Sequence, residues 1–349
     1  MSRFLTRLIP TFSLDYYQKL ALGAAFVFGS LAALIWYPLQ QVFAGNWILK
    51  QQFEIVLFES TQATNTLFDG TLAIRYYALA LLVGILSGYI LALHLARRHY
   101  IAATVIDRLL IGMVIFGLFG ARLFFAMFNL DIYRQNPGLL LRIDQGGLAF
   151  FGMLLAATLY LYLYCRRYKF SFFEFTDILS LPLLLGQIFG RFGNFFNYEA
   201  YGGPTSVFWK MYVPDTVNFY ESINQKFFHP TFLYEIIPNT VLFLIILWYY
   251  GDLTKKRSGL VFALYLVGYG VVRFGTEFFR LDALRVPLPT AWQLEVFGLP
   301  FVDVRVSQIT ALLLVGLGFY LYLTRRHVIY LKKTMVELKT SRRSKIFFN

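Results

Sequence analysis

Apolar stretches long enough to cross a bilayer, about 20 residues each, recur along the chain at 20–39, 72–96, 103–128, 146–165, 174–195, 231–250, 258–279 and 303–324. The connections between them alternate in charge. Arg97-Arg98-His99, Arg166-Arg167-Tyr168-Lys169, Lys255-Lys256-Arg257 and Arg325-Arg326 fall at every second connection, whereas 40–71, 129–145, 196–230 and 280–302 carry sparse or mixed charge. Because basic loops stay on the cytoplasmic side, this alternation puts both termini inside and the four sparse segments outside. The pattern predicts an all-α polytopic integral membrane protein with eight spans. No small-residue cleavage pattern follows the first apolar run, so it reads as a retained anchor added to a seven-span core.

The polar residues inside these runs are not scattered. At about 1.5 Å rise per residue, Arg122 and Arg191 come late in outward-running spans and Arg273 lies past the middle of another. Tyr77 comes early in an inward-running span, and His229 and Glu235 sit at the start of a second. All six fall in the outer half of the bilayer. In Gly190-Arg191-Phe192-Gly193-Asn194-Phe195-Phe196-Asn197-Tyr198-Glu199, Arg191 and Asn194 share a helix face, and Gly186, Gly190 and Gly193 let a neighbouring helix approach closely. Tyr269, Arg273 and Glu277 follow at i, i+4, i+8, with Arg280 beyond them, so Glu277 is expected to pair with Arg273 or Arg280. Asp177, near the inner face, reads as a helix-start or structural residue. The bland alternative is a seam of small residues with a buried, satisfied ion pair. Intramembrane ionisable residues are nevertheless functional candidates by default, and three converging arginines, Arg122, Arg191 and Arg273, suit an anion. A phospholipid phosphate is the abundant one, and a guanidinium holds it by paired hydrogen bonds.

Composition agrees and removes other classes. Of 349 residues 58% are hydrophobic and 15% charged, with a mean hydropathy of +0.58, which excludes an ordinary soluble domain. The net charge of +13 is gathered at span ends, so it speaks of topology and anionic lipid, not of nucleic acid. The single cysteine, Cys165, excludes an internal disulfide and a Cys-rich metal site. Neither a Gly-rich nucleotide loop nor a Ser-His-Asp set is evident, and neither cofactor nor metal is expected.

The run from Gly190 through Glu199 to Ala200-Tyr201-Gly202 closely resembles the signature of the bacterial prolipoprotein diacylglyceryl transferase family. His229-Pro230-Thr231-Phe232-Leu233-Tyr234-Glu235 is similar to a second family element, with Phe232 where glutamine is usual. Gly268-Tyr269-Gly270 through Arg273 to Glu277-Phe278-Phe279-Arg280, Ala73-Ile74-Arg75-Tyr76-Tyr77 and Gly120-Ala121-Arg122-Leu123 resemble three further blocks. The resemblance covers residues 70–325 in order. It implies transfer of the diacylglyceryl group of phosphatidylglycerol to a lipobox cysteine of a preprolipoprotein, with release of glycerol 1-phosphate. Carried across by position, it implies Tyr77, Arg191, Asn194, Gly202, Tyr269 and Arg273 as functional residues, supported by Glu199 and Glu277. In Gly146-Gly147-Leu148-Ala149-Phe150-Phe151-Gly152, the sixth position, commonly a histidine proposed as base, is Phe151.

A thiol with an ordinary pKa near 8.5 must yield a thiolate to attack a glyceryl carbon. The expected roles are Arg191 and Arg273 on the phosphate, with Asn194 and Tyr77 orienting the headgroup. Glu199, Gly202, Tyr269, Glu277, Arg122 and Glu235 complete the expected substrate-binding set. For the base, His229 is the one histidine expected near the outer face, since His94, His99 and His327 lie at cytoplasmic ends; the arginine field is the alternative source of thiolate. The expected organisation is an N-terminal basic segment and extra helix over 1–45, a core over 46–325 and a basic cytoplasmic tail over 326–349, in the bacterial cytoplasmic (inner) membrane with the site towards the outer leaflet. A catalytically silent lipid- or precursor-binding homologue stays open as a second reading. A transporter fits less well, because no internal repeat is visible and the polar cluster lies off the midplane.

Overall fold

Inside a bilayer every backbone N–H and C=O must be paired within its own segment, so long apolar runs become helices. The computed structural model describes residues 15–56, 71–141, 147–217, 225–281, 285–286, 294–296, 299–301 and 304–325. Arg3, Arg7, Gly146 and the basic tail 326–349 lie outside them. The long helices are α1 (Tyr16–Phe43), α2 (Tyr76–Arg98), α3 (Ala103–Met127), then, after the short α4 (Leu130–Gln135), α5 (Phe150–Tyr168), α6 (Phe172–Asn197), α7 (Thr231–Lys256), α8 (Leu260–Glu277) and α9 (Val306–Arg325). All the long helices except α5 are long and apolar enough to cross a membrane, seven among the described residues. Helix α5 occupies the expected stretch 146–165, but it is tyrosine-rich and its last turn holds Arg166 and Arg167. Residues 71–75, expected as the start of a span, instead form a strand (β2) paired antiparallel with Gln52–Val56 (β1), and the helix begins at Tyr76.

The chain divides into two compact units. In the unit of residues 1–88 and 180–349, α1 starts with a capping box in which Asp15 and Gln18 satisfy each other's backbone N–H. It then runs antiparallel along α7, with Tyr17 against Tyr250 and Phe28 against Phe243. Helix α7 packs on α8 where Leu242 covers Gly268. Outside the helices, Met211–Tyr212 (β3) pairs with Phe227–Phe228 (β4).

In the unit of residues 89–179, α3 and α5 meet over Gly120 and Gly152, with Phe116 stacked on Tyr160 at 4.8 Å. Tyr89 donates to Asp107 at 2.7 Å, and His99 lies 3.1 Å from Glu174. Asp177, 1% exposed, sits in the second turn of α6, so of its two expected roles the buried structural one applies.

Candidate active site

Glu235 is the hub of the site. It lies early in α7, only 2% exposed, and such a carboxylate needs partners because burial removes its water. Helix α6 supplies the first: Arg191 donates through Nε at 2.8 Å and lies at 2.6 Å through Nη2, both to Oε2. Its Nη1 donates to Asn194 Oδ1 at 3.1 Å, as the three-residue spacing implied. Helix α8 supplies the second: Arg273 Nη1 donates to Oε1 at 2.9 Å. Arg273 Nη2 pairs with Glu277 at 2.7 Å and donates to Ser307 on α9 at 3.2 Å. Just past α8, Arg280 Nη1 approaches Oε1 at 3.9 Å. Three guanidiniums, those of Arg191, Arg273 and Arg280, thus gather around the carboxylates Glu235 and Glu277. Such a concentration of guanidinium donors suits an anion.

The remaining expected residues surround this hub. The ring of Tyr77, at the start of α2, lies on Gly193, where any Cβ would come within 2.5 Å of it. Tyr77 is within electrostatic reach of Arg191 and Glu199, and Glu199 accepts from Asn197 Nδ2 at 3.2 Å. Tyr269 is within electrostatic reach of Glu235, Arg191, Arg273 and Arg280. It stacks on Tyr265 at 5.9 Å and 7°, and Tyr265 accepts from Gln187 at 2.9 Å. Gly202 contributes backbone: its N–H donates to His229 O at 2.8 Å, it bridges to Arg280, and a Cβ there would meet Phe279 O at 2.5 Å.

Two expected residues take other places. Arg122, in the second unit, donates to the carbonyls of Gly147 at 3.0 Å, Leu140 at 3.2 Å and Leu139, and lies over the Tyr133 ring. It ties down the segment that follows α4; the third cation at Glu235 is Arg280. His229 Nδ1 lies 2.9 Å from Tyr234 Oη, which also accepts from Trp209 at 2.6 Å, and its ring rests on Phe279. Burial pushes its pKa below the ordinary histidine value, so it is neutral at pH 7. Phe151, in the first turn of α5, is 40% exposed and brings no proton-transferring group. Among the described residues no group of three His, Cys, Asp or Glu side chains is placed to hold a metal.

Sequence reasoning missed Ser307, although a hydroxyl in the first turn of an outward-lying span end obeys the same depth rule that found Arg273. It also passed over Gln187, which lies four residues before Arg191 on the same face of α6.

Residues 65–324 match the family model of prolipoprotein diacylglyceryl transferase. Among curated relatives, a phosphatidylglycerol–prolipoprotein diacylglyceryl transferase of Synechococcus sp. (strain CC9902) is 38% identical over 64% of this chain and 81% of its own length. Proteins of the same name from Thermosynechococcus vestitus and Thermotoga maritima are 33% and 37% identical, over 76% and 74% of this chain and 92% and 83% of theirs. The matched residues include the whole arginine cluster, and the chain belongs to the prolipoprotein diacylglyceryl transferase family.

Proposed function

We propose that this protein transfers the sn-1,2-diacylglyceryl group of phosphatidylglycerol to the lipobox cysteine thiol of a preprolipoprotein. A carbon–sulfur bond forms at the glyceryl carbon, the carbon–oxygen bond to phosphate breaks, glycerol 1-phosphate departs, and the thiol proton is lost. The observation that carries this reading is the convergence of Arg191, Arg273 and Arg280 on Glu235, on a chain whose relatives are named for that transfer. Arg191 and Arg273 hold the phosphate and stabilise the charge that builds as it leaves, in a site where removed water makes such donors worth more. Glu235 and Glu277 fix the two guanidiniums in advance, so little reorganisation is needed when the lipid binds. Asn194 and Tyr77 orient the headgroup, Glu199 supports Tyr77, and Tyr269, Gly202 and Arg280 line the same region.

Thiolate formation has two candidate supports. In the tautomer whose Nδ1–H donates to Tyr234, the neutral imidazole of His229 leaves Nε2 to take a proton; alternatively, the field of the clustered arginines lowers a nearby thiol's pKa without any base. The second is favoured because the imidazole is already engaged with Tyr234 while three arginines converge on Glu235. A flat His229→Gln pH–rate profile relative to wild type supports the field, and loss of the acid limb supports the base.

The chain is a multi-pass membrane protein, and we place it in the cytoplasmic membrane with both termini inside and the hub towards the outer leaflet. Residues 1–45 form the added segment, 46–325 the core and 326–349 a basic cytoplasmic tail. The test of the activity is direct: purified protein in phosphatidylglycerol micelles with a lipobox peptide, read by mass. A gain of one diacylglyceryl group on the cysteine is expected, and lipid binding with no gain would mark a silent homologue.

A further inference from the structure

The segment that joins α1 to β1 lies outside the residues matched by the family model, yet it touches three of the elements that carry the site. Phe43, the last residue of α1, sets its ring edge-on to Phe195 at 6.4 Å and 72° and to Phe232 at 6.1 Å and 83°. Those two rings stack on each other at 4.7 Å. Phe195 follows Asn194 on α6, and Phe232 lies three residues before Glu235 on α7, so one aromatic wedge joins the helices that bear the arginine and its carboxylate. Two residues on, Gly45 turns the chain at φ +80, where a Cβ would meet the Tyr212 ring at 2.9 Å. Leu49 N–H then donates to Tyr198 Oη at 3.0 Å. Gln51 acts in two directions: its Nε2 donates to Asn197 O at 3.2 Å, and its carbonyl accepts from Tyr76 N–H at 3.0 Å. It thus links the end of α6 to the start of α2, next to Tyr77.

What this segment holds would not hold itself. Tyr198 has φ 53 and Ala200 φ 55, a left-handed backbone that side-chain-bearing residues rarely adopt and that persists only when the surroundings fix it. The buried Tyr198 ring and its hydroxyl, captured by Leu49, are such a constraint, and Glu199 lies between the two strained residues.

We propose that residues 43–51 are a positioning strap for the transferase site, in which Phe43 and Gln51 fix Asn194, Glu199, Glu235 and Tyr77 relative to one another without touching the lipid. The effect is on geometry: a small misplacement of orienting groups lowers the rate of the chemical step far more than it lowers binding. The proposal rests on the transferase reading of the site, so its test carries one readout that does not.

Phe43→Ala, Phe43→Leu, Gln51→Ala and Phe28→Ala are made in the full chain. Phe28 is the control, since its ring packs on Phe243 farther along the same two helices and so reports the purely structural cost of losing an α1 contact. Expected are a fall of about tenfold or more in kcat for Phe43→Ala and Gln51→Ala with KM for phosphatidylglycerol within about twofold, recovery in Phe43→Leu, and a near-normal kcat in Phe28→Ala. Hydrogen exchange of the 195–202 amides is expected to quicken in Phe43→Ala and Gln51→Ala but not in Phe28→Ala, and this holds even if the wild type transfers nothing. Equal losses of rate in Phe28→Ala and Phe43→Ala that track thermal stability, or unchanged exchange at 195–202, would overturn the strap.

Discussion

Glu235 accepts from Arg191 and Arg273 and lies 3.9 Å from Arg280, so it organises the donors that a phosphate would meet. Glu235→Ala leaves these guanidiniums facing one another without their shared carboxylate. Removing one partner of a buried pair costs about 3–5 kcal/mol, and the residual exposure of the arginines places this case near the lower end. Unfolding in mixed micelles is expected to show about 3 kcal/mol of lost stability, with Glu235→Gln intermediate because its amide oxygen still accepts. At His229 the sign of the pH effect follows from burial. Its folded pKa lies below the ordinary value, so only the unfolded chain takes up a proton as pH first falls below about 6.5. The wild type is therefore expected to lose stability between pH 6.5 and 5.5, and none through this group above 7. His229→Gln lacks that slope, which unfolding measurements at pH 7.5, 6.5 and 5.5 would reveal.

At the scale of elements, the site is three helices brought to one level. Gln187, Arg191 and Asn194 share a face of α6, Tyr265, Tyr269, Arg273 and Glu277 share a face of α8, and Glu235 enters from α7 between them. These faces were legible in the sequence because helical spacing fixes which residues can meet, and because charges in an apolar run must gather at one depth. Spacing offered Glu277 either Arg273 or Arg280, of which the structure pairs it with Arg273, and it set Arg191 and Asn194 on one face, where they bond. The choice of third cation was not legible. Depth grouped Arg122 with Arg191 and Arg273, and only the three-dimensional path of the chain after α4 gives Arg122 backbone carbonyls to bind while Arg280 turns to Glu235. Likewise Phe43 looks like any lipid-facing aromatic until Phe195 and Phe232 are seen around it. The glycines on α6 had a visible spacing but no visible partner; the structure supplies Tyr77 for Gly193. Gly193→Val is accordingly expected to cost about 1–3 kcal/mol by overpacking and to lower transfer by displacing Tyr77, whereas Gly23→Ala, with nothing within 4 Å, leaves both unchanged.

For the whole molecule, seven helices among the described residues are long and apolar enough to cross a membrane, and from the alternation of basic connections we propose that the hub lies in the outer half of the bilayer, where a secreted precursor and the lipid headgroups both arrive. Cysteine labelling from outside is then expected at introduced sites in 201–213 and not at 97–100 or 166–169; the reverse pattern would invert the topology and separate the site from its substrates.

Central to the proposed mechanism is the action of Arg191 and Arg273 on the phosphate as it leaves. The most direct measurement is single-turnover transfer from phosphatidylglycerol to a lipobox peptide by wild type, Arg191→Ala and Arg273→Ala, each shown to be folded in the same micelles. Loss of one such preorganised donor costs about 10²–10³ in rate, so each variant is expected to fall at least a hundredfold while still binding peptide. Transfer at the wild-type rate by either folded variant would contradict the phosphate clamp.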